Sequence, residues 1–204
     1  IGPMLSQTRY KESIDKNHNP YRESHAKRTQ WLPTEMPREG ELVFFAGCTP
    51  SYREGSVLKS TIKILKSLGD FEMLKDEWCC GSPMYMIGYT DELKEMAGHN
   101  IDAIKDTGAK TVVTSCAGCY RMLKLEYPKI TGRELPFEVL HMTQILESVM
   151  REGKIKFKEP INEKITYHDP CHLGRHMGYE GVYEPPRNVL KSIPGLELVE
   201  MKRI

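Results

Sequence analysis

The sequence has no long hydrophobic run, almost no net charge and no cysteine in its first 47 positions. Its apolar runs are only a few residues long, whereas a transmembrane helix needs roughly 20, so we expect no transmembrane or signal segment in this chain. The 29 basic and 28 acidic residues give a net charge of +1, which argues against nucleic acid as a partner. The 204 residues suit one domain or two small ones, and the start at Ile1 predicts a processed chain or a piece of a longer one.

Six cysteines are the most informative residues present. A secreted disulfide scaffold would be shorter and denser in cysteine, and two adjacent cysteines cannot easily bond to each other. Metal or redox chemistry in a reducing, cytoplasmic compartment is therefore the expectation. The six are Cys48, Cys79, Cys80, Cys116, Cys119 and Cys171.

The chain changes character near residue 40. Residues 1–40 are rich in charge and proline and poor in aliphatic side chains, which predicts an extended arm or linker. From Glu41 onward, short apolar runs alternate with amphipathic stretches, which predicts an α/β fold of Rossmann-like βαβ repeats with parallel sheets. The predicted strands are 42–46, 71–74, 111–114, 137–140 and 164–167.

The cysteines follow these strands. Cys48, Cys116 and Cys171 each come within a few residues of a predicted strand end, and the Cys79-Cys80 pair follows the second strand. Strands of an open parallel sheet end at one shared edge, where ligands bind. The pattern therefore predicts that distant cysteines converge in one crevice.

An internal repeat supports two related halves. The segment 65–74 aligns with 190–199 at an offset of 125, and Cys48 aligns with Cys171 at an offset of 123. The alternative is chance similarity between two helix–strand turns. We expect an arm at 1–40, a first repeat at 41–160 and the start of a second, incomplete repeat at 161–204.

Thiolates are soft ligands that select zinc, Cu(I) or iron–sulfur clusters. Five of them fit awkwardly on one tetrahedral zinc ion, which closes at four ligands, so a polynuclear cluster fits better. Two alternatives stay open. Zinc could stabilise an interaction or scaffold module of a redox complex, and Cys116-x-x-Cys119 could act as the dithiol of a metal-free thiol–disulfide oxidoreductase.

The order Cys48, Cys79-Cys80-Gly81 and Cys116-x-x-Cys119 resembles the cysteine-rich CCG domain of heterodisulfide reductase catalytic subunits and related iron–sulfur oxidoreductases. The resemblance covers roughly residues 41–204. The run from His168 to Cys171 resembles the opening of a second such motif.

The resemblance implies an anaerobic iron–sulfur oxidoreductase subunit that moves electrons to or from a disulfide or thiol substrate. It implies a [4Fe–4S] cluster of non-cubane type, with Cys171 ligating a second cluster if the chain continues. It also implies iron–sulfur or flavoprotein partner subunits and a cytoplasmic location, at most peripheral to a membrane complex. The implied ligands of the first cluster are Cys48, Cys79, Cys80, Cys116 and Cys119.

The second motif departs from the family pattern because only Cys171 of its set is present, so we do not expect this chain alone to cleave disulfides. His168 is the candidate catalytic residue, since an imidazole beside Cys171 could donate a proton to a bound thiolate. The alternative is a structural histidine at a strand end.

Overall fold

The computed structural model describes residues 8–30 and 40–202, and its strands form two parallel sheets. The larger sheet has the order β2-β1-β3-β4, and the smaller one pairs β5 with β6. This confirms the predicted α/β fold with parallel sheets. The strands are β1 (Leu42–Phe44), β2 (Glu72–Met73), β3 (Thr111–Thr114), β4 (Glu138–His141), β5 (Lys164–Ile165) and β6 (Glu197–Leu198).

Helices connect the strands in sequence, as parallel pairing requires. The α-helices are α1 (Thr8–Asn17), α2 (Cys48–Tyr52), α3 (Gly55–Leu68), α4 (Ser82–Met86), α5 (Leu93–Asp106), α6 (Ala117–Arg121), α7 (Tyr127–Thr131), α8 (Met142–Arg151) and α9 (Glu184–Lys191). Two 3₁₀ helices lie at His25–Thr29 and Arg175–Glu180, and a π-helical turn at Met122–Glu126 joins α6 to α7.

Both faces of the larger sheet are covered. Successive side chains of a strand point to opposite faces, so Val43 packs into one apolar cluster and its neighbour Phe44 into the other. Both side chains are fully buried, and each such burial contributes about 1.5–3 kcal/mol. The first cluster includes Val112, Leu93, Ile101 and Tyr127, and the second includes Val113, Leu58, Ile62, Leu65 and Met142.

The first amphipathic stretch forms the helix that its spacing predicts. Leu58, Ile62 and Leu65 recur at i, i+4 and i+7, and α3 buries all three. The helix ends where Gly69 turns away from helical geometry and donates its N–H to the Leu65 carbonyl at 3.2 Å. This helix thereby returns the chain from the end of β1 to the start of β2.

The smaller sheet repeats the pairing of the first two strands. The strands β2 and β6 are 125 positions apart, the same offset as the sequence repeat, and each pairs in parallel with a strand that precedes a cysteine. Helix α9 packs against α8, which joins the smaller sheet to the larger one. The structure thus contains a second β-α-β unit with the layout of the first.

The described part of the N-terminal segment, residues 8–30, differs from the extended arm that its composition predicts. It contains α1, and Ile14 of this helix is 2% exposed within the first apolar cluster. Asn19 is fully buried, and its amide donates to the carbonyls of Asn17 and Glu23. A few buried groups therefore hold this segment in a folded conformation, although its composition is polar on average. Residues 1–7 and 31–39 of the predicted arm lie outside the described residues.

Among the helices of residues 8–30 and 40–202, none is long and apolar enough to cross a bilayer.

Candidate metal centre

Five cysteines meet beyond the carboxyl ends of adjacent strands in the larger sheet. Cys48 begins α2 after β1, Cys79 and Cys80 follow β2, and Cys116 and Cys119 follow β3. Together they line one cavity of about 220 Å³, as their positions in the sequence predict. The rest of the lining is Pro20, Tyr21, Thr49, Ser82, Pro83, Met86 and Gly118, none of which carries a formal charge.

The five sulfurs form a continuous series of contacts. Cys48 hydrogen-bonds to Cys79, Cys79 to Cys80, Cys80 to Cys119 and Cys119 to Cys116, with 3.3 Å between the sulfurs of Cys80 and Cys119. All are free thiols. Within the described ranges, no three His, Cys, Asp or Glu side chains are grouped so as to hold a single metal ion. The cavity is several times the roughly 30 Å³ of one water molecule, so it offers room for a polynuclear group.

Two of these thiols are acidic. A hydrogen bond from the Cys119 thiol lowers the pKa of Cys116 to about 6, and the backbone N–H groups of Cys119 and Gly118 at the start of α6 act in the same direction. Hydrogen bonds from Cys119 and Cys79 lower the pKa of Cys80 to about 6. The hydrogen bonds to Cys116 and Cys80, together with burial, raise the pKa of Cys119. Cys116 and Cys80 are therefore the more acidic thiols of the cluster, and the thiolate is the form in which cysteine binds a metal.

Gly47 provides the space for this sulfur cluster. It has φ +78°, a conformation that other residues rarely adopt, and a Cβ at this position would lie 3.0 Å from the sulfur of Cys119. Gly81 also has a positive φ, and its N–H points to the sulfur of Cys79 at 3.4 Å. The sequence pattern singles out Gly81 within the Cys-Cys-Gly motif, but it gives no signal for Gly47.

A buried asparagine holds the backbone of the vicinal pair. Asn100 is fully buried on α5, and its Oδ1 accepts the N–H of Trp78 at 3.1 Å. Its Nδ2 donates to the Cys79 carbonyl at 3.2 Å and to the Tyr127 hydroxyl at 2.9 Å. Sequence reasoning missed this residue, because a single asparagine in an amphipathic helix is usually exposed.

The N-terminal segment also reaches the site. Arg28, which is 2% exposed, donates Nη2–H to the sulfur of Cys48 at 3.1 Å and Nη1–H to Glu77 at 2.8 Å. Glu77 in turn accepts the N–H groups of Ala46 and Gly47 at 2.7 and 2.9 Å. No sequence pattern indicated Arg28 or Glu77 as part of the site.

Charge and burial have opposite effects on the pKa values of Cys48 and Glu77. The hydrogen bond to Cys79 and burial raise the pKa of Cys48, while the Arg28 guanidinium lowers it. Burial raises the pKa of Glu77, while Arg28 and the two backbone donors lower it. Three donors face the carboxyl group of Glu77, so we assign it as the ionised form.

The two candidate residues of the second motif do not line the cavity. Cys171 is half-buried and accepts a hydrogen bond from Arg175 at 3.2 Å. His168 is exposed, while its neighbour Asp169 is buried and bound by both terminal nitrogens of Arg187 at 2.6 and 2.8 Å. The structure therefore places Cys171 and His168 apart from the five-cysteine site.

Comparison with known proteins gives a family and several relatives. The profile of the cysteine-rich domain family (CCG) matches residues 42–124 and 165–204, which include all six cysteines. The chain is 44% identical to a subunit of the dihydromethanophenazine:CoB–CoM heterodisulfide reductase of Methanosarcina acetivorans, over 100% of this chain and 51% of that relative.

Two more distant relatives have other names. The chain is 33% identical to the EtfAB:quinone oxidoreductase of Syntrophomonas wolfei, over 94% of this chain and 28% of the relative. It is 39% identical to a subunit of the fumarate reductase (CoM/CoB) of Methanothermobacter marburgensis, over 78% of this chain and 31% of the relative. The chain thus spans about half the length, or less, of these relatives. The matched residues and the sheet edge that gathers the cysteines together show that the chain belongs to the cysteine-rich domain (CCG) family.

Proposed function

We propose that this chain is the cluster-binding part of an iron–sulfur oxidoreductase subunit. The observation that carries the proposal is the convergence of five cysteines on one cavity at the carboxyl edge of a parallel sheet, with no formally charged side chain in the rest of the lining. The ligands would be Cys48, Cys79, Cys80, Cys116 and Cys119, and the group a [4Fe–4S] cluster of non-cubane type.

The residues present fit such a group. Five soft sulfur donors exceed the four of a tetrahedral zinc site. The Nε–H of Arg28 is buried and has no hydrogen-bond partner among the described residues, so it is free to donate to an acceptor bound beside Cys48. Gly47 keeps a side chain away from the Cys119 sulfur, where inorganic sulfide would need space.

The proposed activity is electron transfer to or from a disulfide or thiol substrate, because the relative with 44% identity is named as part of a heterodisulfide reductase. A bound cluster would supply or accept single electrons. The chain's own part is to hold the five sulfurs and to exclude water with Pro20, Tyr21, Pro83 and Met86. We expect iron–sulfur or flavoprotein subunits as partners in a cytoplasmic complex, since several relatives are named as subunits.

A second site belongs to the same proposal. Cys171 aligns with Cys48 and follows β5 as Cys48 follows β1, so it would be the first ligand of a second cluster in a longer chain. His168 would donate a proton to a thiolate bound there. The exposure of His168 and the contact of Arg175 with the Cys171 sulfur support an accessible, positively charged site.

A metal-free thiol–disulfide oxidoreductase is the second candidate, and one observation favours it. Cys116 is the N-cap of α6, and its pKa of about 6 is that of a reactive thiolate. A dithiol enzyme of this kind would use Cys116 to attack a disulfide and Cys119 to resolve the mixed disulfide.

The deciding experiment is the iron, zinc and acid-labile sulfide content per chain after anaerobic purification. The proposal expects about four iron atoms and about four sulfides for one [4Fe–4S] cluster, with a brown colour. One zinc ion without sulfide would instead indicate a zinc-stabilised scaffold module. Thiols that cycle without any metal would indicate the dithiol enzyme.

A further inference from the structure

Arg28 is a buried charge that the fold of the sheet does not require. It belongs to the N-terminal segment, outside the residues that the family profile matches, yet its guanidinium lies between Cys48 and Glu77. Burying a guanidinium costs several kcal/mol, and a buried ion pair often adds nothing to stability compared with apolar side chains. The contacts of Arg28 therefore call for a reason other than stability.

Glu77 alone explains the local backbone. Its carboxylate accepts the N–H groups of Ala46 and Gly47, and these bonds fix the turn that carries Cys48. Arg28 completes the charge balance of that carboxylate, but its second terminal nitrogen goes to the sulfur of Cys48 at 3.1 Å rather than to Glu77. What Arg28 adds at the site is a fixed positive charge against a sulfur ligand.

We infer that Arg28 is a positioning residue that acts through Cys48 to set the reduction potential of the cluster. This inference rests on the proposed function. When the cluster accepts one electron from a donor such as dithionite, its negative charge grows by one, and a nearby cation stabilises that reduced form. Hydrogen bonds to ligand sulfurs and local charge are established means of tuning such potentials. Arg28 therefore raises the potential, and Glu77 lowers it.

The test is a spectroscopic redox titration with dithionite at pH 8 under anaerobic conditions, on the whole chain with its cluster. Arg28→Gln should shift the ratio of oxidised to reduced cluster by at least about tenfold toward the oxidised form at a fixed potential, equivalent to a midpoint about 59 mV lower for one electron. Arg28→Lys keeps the charge and should shift less. Glu77→Gln should shift the midpoint in the opposite direction.

The opposite signs separate charge tuning from a merely structural role, because a loosened site would move both variants the same way. Arg187→Gln is the matched control: Arg187 is also a buried arginine in an ion pair, but it lies outside the cysteine cavity. It should leave the potential unchanged, even if it melts at a lower temperature.

Iron and sulfide contents, measured first, keep the two claims distinguishable. A wild-type chain without iron would overturn the proposed function and this inference with it. A wild-type chain with its cluster, and the same midpoint in Arg28→Gln and Glu77→Gln, would overturn the inference alone. If Arg28→Gln loses its cluster, the midpoint potential of Glu77→Gln decides. A higher midpoint than in the wild type supports the role of charge, and an unchanged midpoint refutes it.

Discussion

The thiol of Cys119 donates to the sulfur of Cys80 across 3.3 Å, although 39 positions separate the two residues in the sequence. The contact joins the loop after β2 to the helix after β3, two strands that are not neighbours in the sheet, because β1 lies between them. Cys48 follows β1, the strand between them, and adds its sulfur to the same site. The three strand ends therefore build one site, and each of its ligands should be needed for metal binding.

Replacing either member of the vicinal pair should disrupt the cluster. In Cys79→Ser or Cys80→Ser a hydroxyl replaces a soft anionic ligand and binds iron poorly, so the visible and paramagnetic spectra should change or disappear. Cys171→Ser is the control, since Cys171 does not line the cavity, and it should keep its iron. Unchanged spectra in both vicinal variants would refute the five-ligand assignment.

Asn100→Ala should destabilise the protein by about 2–3 kcal/mol, because it leaves the Cys79 carbonyl and the Tyr127 hydroxyl, both buried, and the half-buried N–H of Trp78 without their partner. Urea unfolding of the metal-free chain measures this loss without a contribution from the cluster. The control is Asn188→Ala, which removes an exposed asparagine on α9 and should cost far less. Equal losses would mean that the Asn100 network contributes nothing specific.

Gly47→Ala should lower the iron content as well as the stability. Its φ of +78° and ψ of +163° lie in a region that is open essentially to glycine alone and costs about 1–3 kcal/mol for a residue with a Cβ. The added methyl group would also lie 3.0 Å from the Cys119 sulfur. Gly132→Ala is the steric control, because its φ is also positive, at +66°, but no atom lies within 4 Å of the added methyl. The melting temperature should fall in both variants, whereas the iron content should fall only in Gly47→Ala.

The stability of the fold should decrease as the pH falls from about 6.5 to about 4. Burial lowers the pKa of His141, the N-cap of α8, to about 4. Between pH 6.5 and 4 the unfolded chain therefore binds a proton at this histidine that the folded chain does not bind. The contribution of His141 to the stability of the folded state is fully present above pH 6.5 and is lost as the pH falls below it. The expected loss from this residue is about 2–3 kcal/mol.

Unfolding in urea at a series of pH values measures this dependence. His141→Asn keeps a side chain that can cap the helix but cannot titrate, so the loss between pH 6.5 and 4 should become smaller. A variant that loses as much stability as the wild type over this range would show that His141 is not responsible.

The strands and the cysteines that follow them could be predicted because their signals are local. Leu42 to Phe44 form a short apolar run before Cys48, and Thr111 to Thr114 form a run of β-branched residues before Cys116. The rule that parallel strands end at one edge then brings the cysteines together without further information. The strand order β2-β1-β3-β4 was not predictable in this way, since it depends on packing between distant elements.

The helix after Cys119 shows the limit of local signals. The sequence predicts that it ends near Pro128, because proline lacks an N–H and disrupts a helix interior. Instead the chain stays helical to Thr131, since Pro128 occupies the first turn of α7 after the π-helical turn at Met122–Glu126. A proline in a first turn loses no hydrogen bond.

The sequence by itself determined the fold class, the family and the five sulfur ligands that we propose, because cysteine spacing and strand periodicity are properties of neighbouring residues. Only the tertiary structure decided that Arg28, Glu77, Asn100 and Gly47 belong to the site. Each of them acts through a contact with a residue distant in the sequence, or through space that another segment fills. Polar residues of these types are mostly exposed, so their burial beside the sulfurs follows from the packing of the whole chain.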